Sequence, residues 1–483
     1  MTPSGPNLTS TTWPVSTTTR PRSHMASNIT AAPDHRPTFQ EAAGELVSKV
    51  RAGSSASRLW LMIAAALALV GLVGVIGRII DGYSDRSAWG YYAAMVSFLL
   101  STAAAAPMVS IAPTLARASW VRPVTRVSQL FASVGVVTAL MHIPLMFALP
   151  PLVEEGVRRR SIWFGAGAYT PHVWGTIAIF GLTFLGLALL WASSIPDLRA
   201  IAESGEGRRQ RWAARLAMGF IGTDTQWKAL RMRIGVLGSF YFLFLIFTHL
   251  VFSADFAMAL VAGWKDAIFP MYHAMTGLQS GLASTIIAAY FIRRYGHLER
   301  YIELDQFWAM SKLLFATSLL WFYFFFSAFI VFWYGRSGPD QATNDLLVSG
   351  PFRWAFFATF LMSFVIPLFT LMFNPVRHSI RGPVIVSFII LGGMLLDRIR
   401  IYVAAWSTTG INDRYLREIP ATRWPDIFDL MVILGTFGAA ALAFILATRL
   451  IPAVSLWEIQ YSRLLTRPAR FIRGHALIIG KPD

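Results

Sequence analysis

The stretch RMRIGVLGSFYFLFLIFTHLVFSADFAM, residues 231–258, decides the architecture. Arg231 and Arg233 stand at its head, and no Asp, Glu, Lys or Arg interrupts it from Ile234 to Ala254. About 20 apolar residues at a helical rise of roughly 1.5 Å each cross the hydrocarbon core of a bilayer. Near the end away from the arginines lie His249 and Asp255. A carboxylate at that depth costs on the order of +3 kcal/mol on insertion scales, so it is usually kept for a reason.

Nine further segments of the same kind flank this one. The apolar runs lie near 59–80, 88–110, 127–150, 172–194, 234–256, 267–292, 311–334, 353–374, 383–403 and 427–450. Of the 483 residues 55% are hydrophobic and only 14% charged, with a mean hydropathy of +0.53. A soluble domain would carry about one-quarter charged residues and hide its apolar ones in compact cores. The expected fold is all-α: a polytopic membrane protein with about ten transmembrane helices in a domain covering 58–450.

Residues 1–57 are rich in Ser, Thr and Pro (Thr9 to Thr19, Pro21, Pro33, Pro37) and are expected to be a disordered tail. A short amphipathic helix around Gln40 to Val50 would end it. The first apolar run begins too late, and is too long, for a cleaved signal peptide. Residues 451–483 carry Arg463, Arg467, Arg470 and Arg473 and are expected to form a basic segment on anionic lipid or a simple topological anchor.

The net charge is +17, and its distribution orients the chain. Lys and Arg concentrate in both termini and in the connections after the second, fourth, sixth and eighth segments. The loop after the fourth alone holds Arg199, Arg208, Arg209, Arg211, Arg215, Lys228, Arg231 and Arg233. Short loops of this kind stay on the cytoplasmic side, which predicts both termini inside. Nucleic-acid binding is excluded, because the charges follow membrane edges rather than one folded face. There is no cysteine, which excludes disulfides, thiolate zinc and iron–sulfur clusters held by this chain itself.

With that orientation, His142, His172, His249, Asp255 and His273 all fall near the outer surface. Ser253 shares a helical face with His249, while Asp255 lies about 120° away. The two ionisable groups line one pocket only if it wraps the helix; otherwise they serve two neighbours. Asp266 and Tyr272 sit at the start of the sixth segment, and Asp397, Arg398 and Arg400 form a charge group at the outer end of the ninth that is able to pair within itself. The aromatic run Trp321 to Phe326 reads as packing and lipid-facing residues. Ala103 to Ala106, ended by Pro107, predicts close helix approach and a kink.

Gly222-Thr223-Asp224-Thr225-Gln226-Trp227, His249-Leu250-Val251-Phe252-Ser253-Ala254-Asp255-Phe256-Ala257, Gly263-Trp264 and Ala267-Ile268-Phe269-Pro270-Met271-Tyr272 together resemble the NrfD/polysulfide-reductase family of membrane subunits. Within it the chain is most similar to the quinol-site membrane subunit of alternative complex III. Trp120-Val121-Arg122-Pro123 with Arg126, Ile195-Pro196-Asp197-Leu198, Trp333-Tyr334, Gly392-Gly393-Met394 with Asp397-Arg398, Ile419-Pro420 with Trp424, and Ile451-Pro452 with Glu458 follow in order, so that about residues 85 to 465 are covered.

The resemblance implies eight to ten helices with two four-helix bundles, here segments 2–5 and 6–9 plus flanking helices. It implies a subunit of a respiratory oxidoreductase in a bacterial inner membrane, beneath an extracytoplasmic iron–sulfur subunit that often accompanies a molybdopterin-type protein, with other membrane subunits and cytochrome c subunits as further partners. Quinol, whether menaquinol or ubiquinol, binds near the outer face in such proteins. On this basis His249 and Asp255 are the expected catalytic residues, and His142, His172, Ser253, Tyr272 and His273 the expected quinone-binding set. No metal or haem is expected on this chain itself.

Several family features are missing. The Gly-His-Ala-Gly-Thr stretch of the second helix is here Ser101-Thr102-Ala103-Ala104-Ala105-Ala106, without a histidine. His142 is followed by Ile143-Pro144-Leu145 instead of Gly-Arg-Pro, Trp174-Gly175 stands for Trp-Asp, and Gln129 for Glu. Two rival readings therefore remain at this point. One is a quinone-inactive subunit that is structural or conducts protons; the other is a secondary transporter, disfavoured because the ionisable residues lie at one surface rather than at mid-membrane.

Overall fold

The computed structural model describes residues 55–150, 153–154, 157–158, 170–204, 207–409, 413–471 and 474–479. The expected tail and its helix around 40–50 fall outside these, apart from the last three tail residues, which already belong to the first helix. In chain order the helices are α1 (Ser55–Asp81), α2 (Gly90–Thr102), α3 (Met108–Leu115), α4 (Arg122–Leu130), α5 (Val134–Ala148), α6 (Thr170–Ser204), α7 (Gly207–Leu216), α8 (Asp224–Phe256), α9 (Phe269–Tyr295) and α10 (Leu304–Gly335). There follow α11 (Gly338–Asn344), α12 (Arg353–Phe360), α13 (Ile366–Leu371), α14 (Asn374–Arg377), α15 (Arg381–Ser407), α16 (Ile427–Leu450) and α17 (Leu456–Leu465). Among the described residues, two short antiparallel hairpins complete the fold: Val153–Glu154 with Val157–Arg158, and Thr466–Phe471 with Gly474–Ile479. The second hairpin lies in the stretch expected only to be a basic segment.

Each of the ten expected segments is helical. Among the described residues eight spans are long and apolar enough to cross a membrane, so the chain is an integral membrane protein. The other two depart for legible reasons. The second segment breaks between α2 and α3 at Ala103–Pro107, as the small-residue run and proline predict. The ninth, α15, carries Arg381, Asp397, Arg398 and Arg400. A π-turn at Leu361–Val365 interrupts the eighth segment between α12 and α13.

Helices α2, α5, α6 and α8 form one bundle, and α9, α10, α12 and α15 a second; α2 also packs on α9 and α15, joining the two. α9 approaches the broken second segment so closely that a Cβ on Gly281 would sit 2.6 Å from the Ala105 carbonyl carbon. α1 packs against α16 outside both bundles, through a glycine face in which Gly71 meets Gly435.

Buried charges close both ends. At the end with the basic loops, the Arg126 guanidinium donates to Asp197 at 2.7 Å and to the Ser193 carbonyl at 2.8 Å, and the Leu456 amide donates to Asp197 at 3.0 Å. Arg122 pairs with Glu458 at 2.5 Å, which ties α17 beneath α4. Gln129, where the resemblance leads one to expect a glutamate, accepts from Ser193 at 2.6 Å. Burial pushes the Glu458 carboxyl above its usual range, against the opposing charges of Arg122 and Arg126. At the far end, Arg78 of α1 donates to Asp426 at 2.6 Å and to Asp429 of α16 at 2.8 Å.

Candidate functional site at the far end of the bundles

Two local motifs aim the far ends of α8 and α9. α8 starts in a capping box: Thr223 accepts from the Gln226 amide at 3.3 Å, and Gln226 accepts the Ile221 and Gly222 amides at 2.9 and 3.0 Å. The Gly-Thr-Asp-Thr-Gln motif is thus a helix start, with Gly222 at φ 85° making the turn. At the other end, Asp266 accepts the amides of Ile268 and Phe269 at 2.7 and 3.1 Å and bridges the turn that leads into α9. Burial pushes the Asp266 carboxyl up, although these two amides pull it back. Gly263 adopts φ 81° directly beneath Arg414, where a Cβ would lie 2.9 Å from that residue's carbonyl oxygen.

Between the bundles, α8 and α9 bring two histidines together. His249 Nδ1 and His273 Nδ1 are 2.7 Å apart, both rings fully buried. One of the two nitrogens must carry the proton, so the pair holds a single shared N–H between two bases. His273 Nε2 continues outward to Tyr402 Oη at 2.9 Å and Ser97 Oγ at 3.0 Å. On the other side, His249 Nε2 has no partner among the described residues and lies over Gly277. Four groups from α2, α8, α9 and α15 thereby form one continuous hydrogen-bonded chain. The missing side chain at 277 leaves the space in which the His249 ring rests.

Arg398 completes this centre from behind. It is fully buried, donates to the His273 carbonyl at 3.4 Å, and stands 3.5 Å from Asp397. Asp397 is shared with Arg400 at 2.6 Å, so the charge group does pair within itself, as its spacing allowed. The Tyr272 hydroxyl faces the Asp397 carboxylate. Trp406 donates to the Phe256 carbonyl at 2.9 Å and Thr408 to that of Leu260 at 2.9 Å, locking α15 onto the end of α8.

The remaining expected residues are not gathered into this pair. His142 packs edge-on against Phe256 at 5.3 Å, and neither ring nitrogen has a partner among the described residues. Gly175 adjoins this ring, where a Cβ would lie in ordinary contact at 3.6 Å from His142 Nε2. His172 bonds to the Met146 carbonyl at 3.1 Å, a contact between helix ends. Ser253 donates back to Leu250 at 3.1 Å, within its own helix. Asp255 is 1% exposed with no hydrogen-bond partner for either oxygen among the described residues. Sequence reading missed Ser97 and Tyr402. The only signal was a hydroxyl on a face that the bundle order turns toward α9, and that requires knowing which helices touch.

No curated protein matches the chain at a significant level. The profile of the family described as Polysulphide reductase, NrfD, matches residues 81–410, from the end of α1 through the loop after α15. That region contains both bundles and every residue of the centre between them. Members of this family are membrane subunits of redox complexes and partner in general with iron–sulfur and molybdopterin subunits. The chain therefore belongs to the NrfD family and is a membrane subunit of a redox complex.

Proposed function

We propose that the chain binds quinol at the far end of the bundles and passes its electrons to an extracytoplasmic iron–sulfur partner. The observation that carries this reading is the buried His249–His273 pair at 2.7 Å, continued to Tyr402 and Ser97. A bound quinol supplies electrons and hydroxyl protons, and the protein supplies orientation and acid/base groups. The residues present suit such a ligand, because His249 Nε2, both nitrogens of His142 and both oxygens of Asp255 are buried without partners among the described residues. Buried polar atoms left unpaired cost about 1–3 kcal/mol each, so a site that keeps them is adapted to something that pairs them.

In this reading His249 takes a hydroxyl proton at Nε2 while its Nδ1 proton passes to Nδ1 of His273, which then carries the added proton as an imidazolium with its Nε2–H held by Tyr402 Oη and Ser97 Oγ. Asp255 is the second acceptor. The side carrying this centre is the outer face of a bacterial inner membrane, and both termini are cytoplasmic. Cytochrome c subunits and further membrane subunits are the remaining partners of the complex.

A quinone-inactive subunit is the second reading, favoured by Trp174-Gly175 and Gln129 in place of the family's carboxylates. The hydroxyls along α9 argue against proton conduction through it: Thr276, Ser280 and Ser284 each donate to a carbonyl four residues back, at 2.7, 2.6 and 2.8 Å. They are engaged with their own helix rather than with one another. Purification from native membranes in mild detergent tests the choice. Redox partners and quinol:acceptor turnover that is lost in His249→Ala or Asp255→Asn support quinol chemistry at this centre. The same partners with turnover unchanged would leave a scaffold, and a chain that purifies alone would revive the transporter.

A further inference from the structure

At the end with the basic loops, the second bundle has a cationic corner where α10 meets the short α14 and the start of α15. The Ser311 hydroxyl of α10 lies 2.8 Å from the Trp308 carbonyl and 3.2 Å from the Arg377 carbonyl, which joins α14 to that helix. The Lys312 ammonium stands 3.3 Å from the centre of the Trp308 ring, one turn back on α10. His378 meets the same ring edge-on at 5.1 Å, and the Arg377 guanidinium lies 5.9 Å from the Phe315 ring. Arg381, exposed, opens α15, whose first turn holds no carboxylate. The ion pairs of the described residues all lie elsewhere, so none joins Lys312, Arg377 or Arg381 to a carboxylate. The acidic residues of α10 nearest in sequence, Glu303 and Asp305, sit about two turns toward its start. The Trp308 Nε1–H and the Arg377 Nε–H also lack an acceptor among the described residues.

Membrane topology asks for cations on this side but is indifferent to what surrounds them. Arg377 and Arg381 stand at the start of α15, where the helix dipole is already positive, and that arrangement is unfavourable until an anion lies among them. Depth selects the anion. Lys312 follows the first residue of the membrane helix α10 by eight positions, about 12 Å of rise, so its long side chain carries the charge back to headgroup level. Phe369 of α13, the helix packed on α10 here, and Met372 and Phe373 just after it are exposed apolar side chains. We propose that this corner binds the phosphate of an anionic phospholipid, with the acyl chains lying along Phe369, Met372 and Phe373. A soluble phosphate would have no use for that apolar strip. The phosphate oxygens accept from Lys312, Arg377 and Arg381, and they supply the acceptor that the Trp308 and Arg377 N–H groups lack. The site lies at the opposite end of the molecule from His249 and does not depend on quinol chemistry there.

The test is photolabelling of the full chain, in its native complex, reconstituted in phosphatidylcholine vesicles with a trace of photoreactive phosphatidylglycerol, followed by peptide mapping. Label on residues 308–315 or 369–381 is expected, competed by unlabelled phosphatidylglycerol where the same amount of added phosphatidylcholine has no effect. Each juxtamembrane cation strengthens binding to an anionic lipid about fivefold, so Lys312→Gln with Arg377→Gln should lower this labelling about 25-fold. Arg381→Gln, a change at an exposed position, should lower it about fivefold and decides the matter if the double variant does not assemble. Label competed equally by phosphatidylcholine, or unchanged by these substitutions, would reduce the corner to ordinary lipid contact and overturn the proposal. Competition by inorganic phosphate as strong as that by phosphatidylglycerol would make it a site for a soluble anion and overturn the lipid assignment.

Discussion

Replacing Gly277 by alanine places one methyl group against the imidazole on which the proposed proton transfer depends. The new Cβ would lie 2.8 Å from His249 Nε2 and 3.0 Å from its Cε1, whereas ordinary contact begins at 3.4 Å. The ring tip must therefore retreat by about 0.6 Å, the difference between those distances. His273 and Gly277 are four apart on one face of α9, so the same ring is held at Nδ1 and pushed at Nε2. A 2.7 Å bond between the two rings does not survive a shift of that size at full strength. Loss of one hydrogen bond costs about 1 kcal/mol. Overpacking adds roughly 1–3 kcal/mol, and the better helix propensity of alanine returns about 1 kcal/mol. A net destabilisation of roughly 1–3 kcal/mol is expected, small enough for the complex to assemble. Turnover should suffer more, because sub-ångström misplacement of an acid/base group costs up to about 100-fold. Steady-state quinol:acceptor assays on membranes, with size-exclusion profiles on heating as a stability control, measure both. An assembled Gly277→Ala complex within twofold of the unchanged rate, with an unchanged pH profile, would refute the role given to His249.

Other expectations follow from the two charged ends and from the helix seams. Arg126→Ala leaves Asp197 buried without its partner, and such breaks cost about 3–5 kcal/mol; replacing both residues by apolar ones of similar size should recover much of the loss in thermal-shift measurements. Asp85 and Asp426 are pushed up by burial, but hydrogen bonds from Ser87 to the one and from Arg78 to the other, with the charge of Arg423, hold both below the usual 3.8. A depressed carboxyl contributes stability above its unfolded value and loses it as pH falls through the folded one. The α1–α16 clamp should therefore hold steady from pH 7 to about 5 and weaken below about 4, and Arg78→Gln should flatten that acid limb of the melting temperature. Glu458 works in the opposite sense: being raised, its contribution grows as pH falls from neutral toward 4.5. Gly435→Leu pushes against Gly71 and should detach α1, read as new protease sensitivity between residues 82 and 89, with both bundles intact.

The architecture was legible because bilayer physics is local to each segment. The run from Ile234 to Ala254 is a membrane helix whatever it touches, and the same holds for seven of the others; the break in the second segment was legible in Ala103–Pro107. Boundaries were less so, since α8 begins at Asp224, ten residues before the apolar run, in a capping box whose polar letters look like a loop. The Asp397–Arg398–Arg400 group could be seen to pair because its members are neighbours in sequence.

The site was legible only in part. Depth placed His249 and His273 near one level, because depth follows from counting residues along each helix. It placed His142, His172 and Asp255 there as well, and gave no means of knowing which would meet. Ser97 and Tyr402 were invisible, since a single serine or tyrosine in a membrane helix has no distinguishing pattern.

From the sequence alone came an all-helical membrane protein, its ten segments, the direction of its charge asymmetry and the level at which ionisable residues gather. These depend on hydrophobicity, length and charge, which are properties of one segment at a time. Only the tertiary structure decided that His249 leans on Gly277 to reach His273, and that His172 and Ser253 bond to backbone instead. Those facts depend on the rotation of one helix against another, which is set by the packing of all of them at once.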